Sequence, residues 1–95
     1  MNIYVFTITY NFDGDSVVKK CDTYEEAIKM LNDFLEDEVQ TIKIESEYVP
    51  SVLKWNDNDI TLVYAEGYNI NPIENKDREF LREDCAYYRI FEVEI

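Results

Sequence analysis

Several pairs of carboxylates stand two residues apart in this chain, among them Glu45 with Glu47, Asp57 with Asp59, and Glu92 with Glu94. Such a pair does acid–base chemistry when it faces a cleft with one member desolvated, so that one acid keeps its proton while the other is ionised. Residues i and i+2 on one exposed face of a strand stay in water together and do not meet that requirement. With 21 acids in 95 residues, pairs of this kind arise by chance. The chain has no histidine, which removes the commonest general base and the commonest zinc ligand. Cys21 and Cys85 have no CxxC spacing and no imidazole to lower a thiol pKa. They read as two reduced, mostly buried thiols, with a disulfide between them left open. No catalytic residue is assigned, and an enzyme is not expected.

The stretch NFDGDSVVKKCD offers Asn11, Asp13 and Asp15 at the first three ligand positions of a calcium-binding loop. That pattern needs Gly at the sixth position and a bidentate Glu at the twelfth. Here those positions hold Ser16 and Asp22, and Lys19 falls at the ninth. Asp13-Gly14 is instead a hairpin signal, because Gly tolerates positive φ. The glycines Gly14 and Gly67 make no phosphate-binding loop. No metal and no cofactor are expected.

The elements around these groups follow from periodicity. Asn2 to Tyr10 alternates Ile3, Val5, Thr7 and Thr9 with Tyr4, Phe6, Ile8 and Tyr10, a strand covered at least partly on both faces. Val17 to Lys20 returns antiparallel to it as a weakly alternating edge. Thr23 with Glu26 three residues on forms a capping box, and Tyr24, Ala27, Ile28, Leu31, Phe34 and Leu35 make one apolar stripe of a helix. The run NDFLEDE is expected to end that helix. Next, VQTIKIESEY reads as a strand with Val39, Thr41, Lys43, Glu45 and Glu47 on a wet face and Ile42, Ile44, Ser46 and Tyr48 packed, ended by Pro50. Val52 to Trp55 and Ile60 to Ala65 flank Asn56–Asp59 as a hairpin. Asn71-Pro72 starts a short helix near 72–83, and YYRIFEVEI closes the chain as a strand. The expected fold is a single α+β domain over residues 1–95. It has one mostly antiparallel sheet of five to six strands, the Thr23 helix on one face, and the two terminal strands near the centre.

Charge is the strongest remaining signal. Twenty-one acids against 9 bases give a net charge of −12, beyond what solubility needs in a chain of this size. Nucleic acid and anionic membrane are bound through Lys and Arg, so neither is an expected ligand. A basic protein surface is. At the expected helix end, Glu36, Asp37 and Glu38 stand against the helix dipole, each at a cost of roughly 0.3–1 kcal/mol at low salt. With Asp33 before them and Glu45 and Glu47 on the next strand, they form the candidate partner-binding set. Carboxylates on an extended strand recur about 6.7 Å apart, twice the rise per residue, a crude copy of the charges along one nucleic-acid strand. Tyr48 is a candidate contact beside them.

The function expected on this basis is inhibition or modulation of a basic, nucleic-acid-handling partner by charge mimicry. In general character the chain is similar to small phage-encoded inhibitors of CRISPR and restriction enzymes, some of which act as DNA mimics. The alternative is a non-enzymatic assembly module that self-associates as a homodimer through an exposed strand and tyrosines. MNIYVFTITY is too short and too alternating for a signal peptide, and no apolar stretch reaches membrane-spanning length. The expected location is the cytoplasm, the host cytosol if the protein is phage-encoded.

Overall fold

Alternating β-branched and aromatic residues at both ends of the chain form the two longest strands, and these pair with each other. The computed structural model describes residues 1–12, 14–45, 50–64 and 84–95. They form β1 (Asn2–Tyr10), β2 (Ser16–Cys21), α1 (Tyr24–Glu45), β3 (Ser51–Asn56), β4 (Asp59–Val63) and β5 (Cys85–Glu94). The strands make one antiparallel sheet in the order β2-β1-β5-β4-β3. The expected α+β fold is present, and the terminal strands are adjacent inside the sheet. Their ladder runs from Asn2 opposite Glu94 to Tyr10 opposite Ala86. It extends at one end through Ile95 N–H to the Met1 carbonyl, 2.9 Å, and at the other through Asn11 N–H to the Cys85 carbonyl, 3.1 Å. The short helix expected near 72–83 lies outside the described residues, as do Asp13, Glu47 and Tyr48.

The period of two in each strand sends alternate side chains to opposite faces. Phe6 and Ile8 of β1, Ile60 and Leu62 of β4, and Ala86, Tyr88 and Ile90 of β5 form the buried face on which α1 lies. Ala27, Leu31 and Ile42 are the fully covered positions of the helix stripe. Tyr24, Ile28, Leu35 and Val39 pack around them half-buried. Phe34 stays 38% exposed while its ring meets Phe6 at 5.6 Å. On the opposite face Leu53, Val63 and Cys85 form a second buried cluster with Trp55 and Tyr87 against it. Both cysteines are free and buried. Cys21 belongs to the helix-side cluster and Cys85 to the other, so the sheet itself separates the two thiols and the disulfide left open by the sequence is not formed.

The helix is longer than the sequence pattern suggests. It starts as expected, with the Glu26 amide donating to Thr23 Oγ1 at 3.2 Å. It continues for 22 residues to Glu45, through the segment Val39–Glu45 expected to be strand. The reason lies in the stripe: Leu31, Leu35, Val39 and Ile42 repeat at four- and three-residue intervals and continue the same apolar face. Alternation would have packed Ile42 and Ile44 together. Instead Ile42 is 8% exposed and Ile44 is 79% exposed, the outcome of a 100° step per residue and not a 180° one.

Candidate functional site

Extending α1 changes the setting of Glu36, Asp37, Glu38 and Glu45. Asp33, Glu36, Asp37 and Glu38 lie in the body of the helix, at least seven residues before its last residue. The dipole acts within the last turn, so the expected penalty on Glu36, Asp37 and Glu38 does not apply. The acid that does stand in that turn is Glu45, beside Lys43. Glu45 is therefore on a helix and not on the wet face of a strand. Glu47 itself lies outside the described residues.

The helical wheel divides the set in two. Asp33, Glu36 and Asp37 face solvent on the side away from the sheet, while Glu38 is half-buried. Asp33 is paired with Lys29 one turn earlier at 2.8 Å. Among the described residues Glu36 and Asp37 make no hydrogen bond or ion pair. Along α1 seven acids stand against two lysines. Phe34 and Met30 line a shallow hollow of about 410 Å³ together with Glu26, Lys29 and Asp33, so an apolar contact area adjoins the exposed charges.

Glu38 points the other way, toward the end of the sheet where β1 and β4 finish and β5 begins. The register explains what it meets. Tyr10, Ala86 and Leu62 form one row across the sheet, and two residues further on Phe12 and Tyr64 stand on the same face of the next row. The Tyr64 amide donates to the Asp84 carbonyl at 3.0 Å, which holds that row in place. Tyr10 and Phe12 meet edge to face at 5.6 Å, and Phe12 and Tyr64 at 5.2 Å. The Tyr64 hydroxyl donates to Glu38 Oε1. Burial and then the bond to that carboxylate hold the Tyr64 phenol above its ordinary range, so it remains a donor. Together Tyr10, Phe12, Asp15, Ser16, Val17, Glu38 and Tyr64 line an open hollow of about 420 Å³. The hydroxyl of fully buried Tyr88 has no hydrogen-bond partner among the described residues. Burial, then the charges of Glu38, Tyr10 and Asp37, raise its pKa as well.

The other candidates are occupied by local structure. Asn11 Oδ1 accepts the Cys85 amide at 2.7 Å, so the first position of the supposed calcium loop ties β1 to β5. Asp57 pairs with Lys54 at 2.9 Å and Asp59 lies 3.7 Å from Arg89; the two carboxylates do not share a site. The Asn58 amide closes that turn on Asn56 Oδ1 at 2.8 Å. Glu92 accepts from Asn2 Nδ2 and lies 3.4 Å from the Tyr4 hydroxyl. Among the described residues no three acids or cysteines converge on one point, and no helix is long and apolar enough to cross a membrane.

Sequence reasoning missed Tyr10, Phe12 and Tyr64 as a group. Phe12 and Tyr64 are far apart in the chain and carry no common motif; only the β1-β5-β4 register brings them together. Comparison with protein-family models, with curated proteins and with solved structures returned no match.

Proposed function

We propose that this protein binds a basic, nucleic-acid-handling partner through the outer face of α1 and thereby inhibits or modulates it. The observation that supports this reading is the pair of exposed carboxylates without a counter-charge among the described residues, Glu36 and Asp37, set beside Asp33 and the half-exposed Phe34. At 1.5 Å per residue, Asp33 and Glu36 are separated by about 4.5 Å along the axis and Asp33 and Asp37 by about 6 Å. The 22-residue helix is about 33 Å long, close to one turn of duplex. A Lys/Arg channel that takes phosphates every ~3.4 Å of one strand meets a comparable run of negative charge. The charge is carried by a helix, so the mimicry is of density and length and not of strand spacing. An exposed aromatic ring among the acids adds desolvated contact area, which charge alone does not supply.

The test is capture from a cell extract on the immobilised protein at low and at high salt. A basic nucleic-acid-binding protein held at low salt and released as salt rises supports the reading. Capture that is indifferent to salt, or of acidic proteins only, contradicts it.

A second reading, self-association, rests on β2. It is an edge strand with Val18 64% exposed, and Phe91 and Val93 are exposed on the face away from α1. Lys19 and Lys20 on the same strand are exposed and act as charged guards against edge pairing. Sedimentation over a hundredfold concentration range decides it: a concentration-dependent dimer at low micromolar protein supports this reading, and a monomer throughout removes it.

A further inference from the structure

We propose that the cavity framed by Tyr10, Phe12, Tyr64 and Glu38 is an aromatic cage that takes one guanidinium group, the side chain of an arginine on the basic partner. The inference rests on the binding reading above and supplies its anchor point. The rings turn as they go round: Tyr10 and Phe12 are inclined at 66° and Phe12 and Tyr64 at 62°. A cation seated against these rings is attracted to their faces, which carry the negative end of the ring quadrupole. Glu38 closes the inner side. Its Oε1 is held by the Tyr64 hydroxyl, which fixes the carboxylate, and a carboxylate has about four acceptor sites in all. Asp15 places a second carboxylate on the wall. Anions are repelled by these two charges, and a purely apolar ligand would strip water from them without replacing it.

Shape and access select among cations. At about 420 Å³ the cavity lies at the small end of ligand-binding clefts, with room for a planar head, part of its stem and some water. Guanidinium stacks flat on aromatic faces and donates to a carboxylate as a fork; ammonium is compact and strongly hydrated. Phe12 is 48% exposed, so its ring is a wall that a side chain can reach from solvent.

The experiment is a titration of the ¹⁵N-labelled full chain with N-acetyl-arginine-N-methylamide and, in parallel, with its neutral isostere N-acetyl-citrulline-N-methylamide. The expected result is a saturable shift of the Tyr10, Phe12, Glu38 and Tyr64 amides with the arginine probe alone. Phe12→Ala weakens it about two- to fivefold, the contribution of one cation–π contact at a partly exposed site. Glu38→Gln weakens it further. Phe12 lies outside the buried core cluster, and unchanged β3 and β4 amide shifts verify that its variant is folded. An equal response to citrulline, or shifts confined to Asp33, Glu36 and Asp37, overturns the cage. In the capture experiment, Phe12→Ala that no longer answers the probe but retains the partner in full also overturns it. By contrast, a variant neutralised at Asp33, Glu36 and Asp37 that keeps both partner and probe response sinks the outer-face reading and leaves the cage intact.

Discussion

Ile42 and Ile44 separate a helix from a strand by a single pair of substitutions. If Val39–Glu45 were extended, both side chains would share one face, and truncating either would cost a similar amount. In the helix they do not share a face: Ile42 is 8% exposed and packs in the core, and Ile44 is 79% exposed. Ile→Ala in a core costs ~2–5 kcal/mol. Ile42 sits near the helix end, where neighbours relax into the space, so the expected loss is ~2–3 kcal/mol, the low end of that range. Ile44→Ala removes little buried surface and replaces a β-branched residue by the best helix former, so stability is unchanged or rises by a few tenths, roughly up to 0.5 kcal/mol. Urea denaturation followed by far-UV circular dichroism measures both, with m compared to verify that only stability has changed. Equal losses above about 1 kcal/mol in both variants would refute the continuous helix and return Val39–Glu45 to a strand.

Other expected outcomes follow from the same packing. Thr23→Ala removes the acceptor for the Glu26 amide and lowers stability by about 1 kcal/mol in the same urea assay. Tyr88→Phe deletes a buried hydroxyl that has no partner among the described residues; thermal melting is expected to show stability unchanged or raised by about 1 kcal/mol, because no bond is lost and a desolvated group is removed. The folded-state pKa values of Tyr64 and Tyr88 are raised, so their contribution is complete below the unfolded phenol pKa of about 10 and is lost as pH rises above it. Stability measured between pH 9 and 11.5 should therefore fall, and less steeply in Tyr64→Phe. Native Cys21, whose pKa is raised by burial and then by Glu26 and Asp22, should react with a thiol reagent only after unfolding.

The sheet was legible because its evidence is local. Period-two alternation at Asn2–Tyr10 and in the C-terminal strand, and turn residues at Asp13-Gly14 and Asn56–Asp59, each settle one element without help from the rest. The helix start was legible for the same reason, through Thr23 and Glu26. Its end was not. Val39, Thr41 and the two isoleucines favour extended backbone, and three acids in a row look like a terminus. What keeps the segment helical is tertiary: Val39 and Ile42 continue a stripe that already lies on Phe6 and Tyr88, and burial outweighs propensity. That one boundary carried the candidate site with it, sending Glu38 inward while Asp33, Glu36 and Asp37 face out. The cage was invisible for a different reason. Tyr10, Phe12 and Tyr64 are brought together by pairing partners, and pairing order is not encoded in any short stretch of the chain.

The most direct measurement is competition. The captured basic partner is bound to wild-type protein and to the Asp33→Asn, Glu36→Gln, Asp37→Asn triple variant at fixed salt, with and without duplex DNA, and association and dissociation rates are recorded. The account predicts that duplex DNA and the wild-type protein exclude one another. It also predicts that the triple variant associates more slowly by about tenfold, because exposed charge acts chiefly on encounter, with a smaller change in dissociation. Simultaneous binding of DNA and protein to the partner, or an association rate in the triple variant equal to wild type, would contradict it.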